Sequence, residues 1–162
     1  MTDLPVTGRK RAVRKGAGVQ FAALPYRIVD DRPEILLITS RRTRRWIIPK
    51  GWPMDGCKPK VTAAREAAEE AGVSGEMGKR AIGRFRYLKQ LRDGDDLPCL
   101  VEVYPLKVTR ERGKWDEKKA RKRRWLPVRE AAAAVLEPQL KLVIRKFGAQ
   151  VAAKSKRKQA AE

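Results

Sequence analysis

Gly51-Trp52-Pro53-Met54-Asp55-Gly56-Cys57-Lys58-Pro59-Lys60-Val61-Thr62-Ala63-Ala64-Arg65-Glu66-Ala67-Ala68-Glu69-Glu70-Ala71-Gly72-Val73 is the segment from which the rest of the chain is read. Its first part is dense in Gly, Pro and Asp and reads as a loop. Pro59 suits the first helical turn and Gly72 the left-handed position that closes a helix, so residues 59 to 71 are bracketed at both ends. At 3.6 residues per turn, Glu66, Glu69 and Glu70 fall within an arc of about 100°, whereas Ala64, Ala67, Ala68 and Ala71 gather on the other side. Like charges at these spacings disfavour an isolated helix by roughly 0.2–0.5 kcal/mol per pair. The macrodipole also opposes anions near a helix C-terminus, so something positive should compensate. Hard divalent cations bind oxygen ligands and bridge to phosphates, which makes metal-assisted phosphate chemistry one reading. The helix alone leaves another open, a solvated Ala/Glu helix paired with surface Arg and Lys.

Upstream of this segment, Gly18 to Asp30 reads as a strand with Pro25 at an edge or bulge, followed by a turn at Asp30-Asp31-Arg32-Pro33. Glu34 to Ser40 is a short buried strand and Trp46 to Ile48 another. Downstream, strands are expected near 77 to 90 and 98 to 108, joined by the polar loop Arg92-Asp93-Gly94-Asp95-Asp96. A strand around Arg123 to Leu126 precedes helices near 128 to 136 and 138 to 153. The second of these carries Leu140, Val143, Ile144 and Phe147 on one face. The organisation expected is a basic flexible arm at 1–17, one domain at 18–153 and a basic flexible tail at 154–162.

The 162 residues suit one core, and a 42% hydrophobic share argues against wholesale disorder. Apolar stretches such as Val19 to Tyr26 fall far short of the roughly 18–20 residues that cross a bilayer, and no signal-like run opens the chain, so a cytoplasmic address is the default expectation. Two cysteines, Cys57 and Cys99, make neither a disulfide framework nor a CxxC site. With no histidine, Ser-His and Cys-His nucleophiles and imidazole metal sites are excluded. The net charge is +20. Five Lys/Arg against one Asp lie in residues 1 to 19, and seven against one Glu in residues 141 to 162, where solvated arms or a weak nucleic-acid or polyanion contact are the alternatives. The rest of the excess is concentrated in Arg41-Arg42-Thr43-Arg44-Arg45 and Arg121-Lys122-Arg123-Arg124, which suggests a multiply anionic ligand.

Between Gly51 and Cys57 five residues intervene, seven run from Lys58 to Ala64, and then come Arg65-Glu66, Glu69-Glu70, Gly72 and Val73. This spacing resembles the Nudix box, G-x5-E-x7-R-E-U-x-E-E-x-G-U with U a bulky apolar residue. Ser40-Arg41, Arg45-Trp46-Ile47-Ile48-Pro49, Trp115, Arg121-Lys122-Arg123 and Trp125 extend the likeness, which resembles the diphosphoinositol polyphosphate phosphohydrolase branch over about residues 18 to 136.

The resemblance implies an α/β Nudix fold, an α/β/α sandwich around a mixed β-sheet, and hydrolysis of a diphosphate linkage with Mg2+ or Mn2+. By position it implies Glu66 and Glu70 as metal ligands, with the Gly51 carbonyl a further oxygen. Glu69 corresponds to the residue that ligates metal or deprotonates the attacking water, and Glu66 is the rival base. Ser40, Arg41, Arg42, Arg45, Lys50 and Arg121 are the substrate-phosphate candidates, because guanidinium forks grip phosphate bidentately; Lys89 is a weaker one. Glu102 and Glu117 are alternative auxiliary carboxylates. Trp46, Trp115 and Trp125 are open to stacking on a base or to packing in the core.

Two departures stand out. Cys57 occupies the box position of the first Glu, leaving Arg65 to turn to Asp55 or to phosphate, and Ala67 is small where a bulky apolar residue is usual. The expected substrate is a small, highly anionic molecule, a dinucleoside polyphosphate or a diphosphoinositol polyphosphate. The alternatives are a noncatalytic polyanion or RNA binder that keeps the fold, and an enzyme that removes pyrophosphate from RNA 5′ ends.

Overall fold

The computed structural model of the chain describes residues 18–161, and the basic arm expected at 1–17 lies outside the described residues. The long strand β1 (Gly18–Val29) turns through Asp30 and Asp31, both at positive φ, into antiparallel β2 (Arg32–Thr39). Short β3 (Trp46–Ile47) pairs with β2, and β4 (Lys50–Gly51) pairs with the first half of β1. Helix α1 (Pro59–Glu66) follows, continuing as a π-helical turn over Ala67–Ala71. Beyond it come β5 (Val73–Met77), β6 (Gly83–Gln90), β7 (Asp96–Glu111) and β8 (Arg123–Pro127), then α2 (Val128–Ala134) and α3 (Pro138–Ala160).

The strands form one mixed sheet. β1 runs parallel to β7, while the other pairings are antiparallel. Because alternate residues of a strand face opposite sides, β1 and β2 feed two cores at once. Leu24, Ile35, Leu37, Phe85 and Val101 pack under α2 and α3 through Leu140, Ile144 and Phe147. Ala23, Leu36, Ile38 and Leu106 pack under α1 through Ala63, Ala67 and Ala71. This is the expected α/β/α arrangement.

Three local expectations change. The strand expected near 77 to 90 starts only at Gly83, and a strand not expected precedes it, Val73–Met77, which pairs with β7 across a register shift at Ser74/Gly75. The buried stripe of α1 is Ala63, Ala67 and Ala71 with Thr62, whereas Ala64 and Ala68 are half-buried. Ala67 is fully buried against the sheet, where its small side chain permits close approach. Finally, α3 does not stop at 153. It continues through Lys154-Ser155-Lys156-Arg157-Lys158 to Ala160, so most of the segment expected as a flexible tail is helical, its cations sitting where the helix dipole favours them.

Candidate active site

The end of α1 is built by its π-helical turn. A π turn takes more residues per revolution than an α turn, so Glu70 comes round nearly into line with Glu66, while Glu69 falls short and faces outward. Glu70 is buried, Glu66 half-buried and Glu69 exposed. Two of the three carboxylates are therefore packed together, and Glu69 stands at the exposed rim, near enough for its charge to act on Glu66. Among the described residues no group of three or more acidic or thiol side chains surrounds one cation position.

Gly72 closes the helix at φ 67°, with the Trp115 indole against it. The positive compensation expected of the helix end is present. Arg123 donates to the Ala71 carbonyl at 2.9 Å, and Trp115 Nε1 donates to that of Glu70 at 3.0 Å. Glu66 lies against Gly51, where an added Cβ would fall 2.2 Å from Glu66 Oε1, so only glycine leaves room for that carboxyl. Glu70 accepts from the Lys50 amide at 3.3 Å and from Arg121 at 3.2 Å. Burial pushes both Glu66 and Glu70 up to about 7. The Glu70, Glu69 and Glu117 charges add to the rise at Glu66, whereas Arg121 and Lys50 oppose it at Glu70.

This donor set fits a divalent cation. Two carboxylates resist ionisation, Glu66 against Gly51 and Glu70 at the adjacent Lys50 amide, and a guanidinium already stands where positive charge is required. Arg121 is saturated by that role. Besides Glu70 it donates to Glu117 at 3.3 Å and to the Thr39 carbonyl at 3.1 Å, with its side chain only 10% exposed. The residue expected on substrate phosphate thus first serves the carboxylates. Glu117 also pairs with Arg41 at 3.6 Å, whereas Glu102 pairs with Arg84 on β6. The geometry brings Glu117, and not Glu102, to the site.

Beside this centre opens a cavity of about 200 Å3 lined by Ser40, Arg41, Arg42, Arg45, Lys50 and Arg121, together with Tyr87 and Lys89. All six substrate-phosphate candidates meet there. The loop after β2 is held as a tight turn. Ser40 N–H donates to the Arg45 carbonyl at 2.8 Å, Ser40 Oγ shares a hydrogen bond with Thr43 at 2.7 Å, and Arg44 adopts positive φ. Arg41 and Arg42 are exposed, but Arg45 is held by buried Glu137 at the start of α3. Lys50 lies over the Tyr87 ring at 4.7 Å, and burial lowers its ammonium to about 8 despite Glu70 nearby. Lys89, only a weak candidate in the sequence, lines the same cavity.

Other expectations resolve differently. Arg65 does not turn to Asp55: it reaches the Met54 sulfur at 3.9 Å, and among the described residues no carboxylate pairs with it. Trp46 packs against the core beneath α2 and α3. Trp115 carries Arg123 at 3.9 Å from its ring, and Trp125 packs on the other core with Arg27 over it at 4.2 Å. None of the three tryptophans considered for base stacking is free to do so.

Comparison with known proteins gives the family and the fold. A NUDIX domain model matches residues 20–147. Nudix hydrolase 12, mitochondrial, of Arabidopsis thaliana is 36% identical over 104 residues, covering 62% of this chain and 51% of that protein, so the match spans about half of the relative's length. Diphosphoinositol polyphosphate phosphohydrolase 3-beta of Bos taurus is 34% identical over 119 residues, 72% of this chain and 68% of the relative. Among solved structures, a C. elegans Ap4A hydrolase binary complex superposes with a TM-score of 0.63 at 20% identity, over 84% of this chain and 98% of that one, a likeness of fold.

Proposed function

The chain belongs to the Nudix family, and from that membership we propose that it is a metal-dependent pyrophosphohydrolase that cleaves a diphosphate linkage in a highly anionic small molecule, a dinucleoside polyphosphate or a diphosphoinositol polyphosphate. The observation that carries this reading is the Glu66 and Glu70 pair, set at Gly51 and at the Lys50 amide and joined through Arg121 to a cavity rimmed by cations. Glu66, Glu70 and the Gly51 carbonyl would hold Mg2+ or Mn2+. When bound, such an ion supplies positive charge to the nonbridging phosphoryl oxygens and acidifies water.

The chain's own groups do the rest. Arg41, Arg42 and Lys50 neutralise the phosphates, Ser40 offers a hydroxyl, and Arg45 is oriented by Glu137. Glu69, exposed and without an ion pair among the described residues, takes the proton of the attacking water. As the water oxygen bonds to phosphorus, the bridging P–O bond breaks and its electron pair leaves on the departing phosphate. Glu66, half-buried against Gly51, is the rival base.

No helix among the described residues is long and apolar enough to cross a membrane, and the cytoplasmic address stands as part of this proposal. The test is a panel of diadenosine polyphosphates, inositol pyrophosphates, nucleotide sugars and 5′-triphosphorylated RNA, assayed with Mg2+ and Mn2+ and read by product identity. Cleavage of a phosphoanhydride that stops in EDTA supports the proposal. A protein that binds these compounds and cleaves none would be the noncatalytic polyanion binder instead.

A further inference from the structure

Of the four tryptophans, the one outside every packing role described above is Trp52, 41% exposed and next in sequence to Gly51. Its six-membered ring rests on β1 at Gly18, where an added Cβ would come within 2.7 Å of Trp52 Cζ3, so glycine there lets the indole lie against the strand. Pro53 follows and restricts the chain on the other side. The Lys89 ammonium sits 5.9 Å from the ring centroid, and Lys89 also lines the cationic cavity. An indole supported along one edge, 41% exposed and linked by one lysine to a row of phosphate-seeking cations, is a platform for an aromatic group carried by the phosphates.

We infer that Trp52 stacks on the base of a nucleoside polyphosphate whose phosphate chain lies in the cavity formed by Arg41, Arg42, Arg45, Lys50 and Lys89. This deepens the phosphoanhydride reading above and rests on it. The cations select for charge density and are indifferent to what the phosphates carry. A diphosphoinositol polyphosphate presents charge but no π-face, so it gains nothing from Trp52. A nucleobase gains a stacking contact of the size that typically changes affinity by about tenfold on truncation to alanine.

The experiment compares full-length wild type, Trp52→Ala and Trp52→Phe with Mg2+, using diadenosine tetraphosphate and a diphosphoinositol polyphosphate as substrates. Tryptophan emission is followed in parallel on addition of ATP or inorganic tripolyphosphate. The expected result is a rise of about tenfold in KM for diadenosine tetraphosphate in Trp52→Ala with kcat held within about twofold, and recovery of most of the loss in Trp52→Phe. Kinetics on the inositol substrate stay unchanged. ATP quenches wild-type emission more than tripolyphosphate does, and the difference disappears in Trp52→Ala. An unaltered KM for diadenosine tetraphosphate, equal losses on both substrates, or a quench that survives the substitution would overturn the stacking role while leaving the hydrolase reading intact. If wild type cleaves neither substrate, the hydrolase reading fails first and takes this inference with it.

Discussion

The end of α1 and the loop after β2 carry opposite charge and are built in opposite ways. At the helix end Glu70 is buried, Glu66 half-buried, and the groups around them are committed: Arg121 to Glu70, Glu117 and Thr39, Arg123 to Ala71, Trp115 to Glu70. In the loop, hydrogen bonds fix the backbone while Arg41, Arg42 and Arg44 extend into solvent. Buried charge of one sign costs stability unless it is compensated, so the acidic centre must be assembled during folding. Exposed cations cost little before they meet a ligand. Under the proposed function, the first region is therefore where catalysis is preorganised, and the second is where affinity is tuned.

The largest effect expected is at the helix end. Glu70→Gln should lower metal-dependent turnover by about 10²–10³-fold or more, with the circular-dichroism melt little changed because a carboxyl that resists ionisation has been removed. Turnover near wild type would break the distinction between the regions. Gly51→Ala ranks next. Its Cβ would collide with Glu66, and the displaced carboxyl should weaken Mn2+ binding by about 10–100-fold, measured by the ion's paramagnetic signal. In the loop, Arg41→Ala with Arg42→Ala should raise KM by about tenfold at nearly constant kcat, since both are exposed on the cavity rim, Arg41 with a long 3.6 Å pair to Glu117; a kcat collapse would move them into the preorganised class.

The pH dependence of stability separates the regions without substrate. Glu66 and Glu70 have folded pKa values near 7, above the ordinary 4.5, so the folded chain binds these protons more tightly than the unfolded chain. Their contribution is fully present below about 4.5 and is lost as pH rises through about 7. Melting temperature in EDTA should accordingly fall across that window, and Mg2+ should restore it most at the upper end. A melt that rises through the window in EDTA would contradict the burial assigned to the pair. The smallest effect concerns Cys57→Glu, which offers Arg65 a carboxylate where none among the described residues pairs with it. A half-exposed pair of this kind stabilises by about 0–1 kcal/mol, and kcat should be unaltered.

Much of this contrast was legible in the sequence because it rests on spacing. Pro59 and Gly72 bracket the helix, the unbroken apolar run Ile35-Leu36-Leu37-Ile38 marks β2, and the interval from Gly51 to Val73 identifies the box. What the sequence hid depends on local phase and on choice of partner. A 3.6-residue period cannot show that the last turn widens, and it placed Glu69 with the other two carboxylates. Arg121 lay in the right basic cluster, but only the fold brings it 51 residues back to Glu70. Trp52 was read as part of a loop, and its support by Gly18 is a tertiary contact with no local signal. β5 has no expected counterpart: it is short, its register shifts at Ser74/Gly75, and its pairing with β7 is a tertiary choice.

The central claim is that Glu66 and Glu70 are gathered to hold a divalent cation. It is tested most directly by calorimetric titration of Mn2+ onto wild type, Glu66→Gln and Glu70→Gln, at neutral pH in two buffers of different ionisation enthalpy. The account predicts one site in wild type, proton release on binding because carboxyls that sit near 7 must ionise, and loss of the site in each variant. Binding of equal strength in all three proteins, or no binding by wild type, would contradict it.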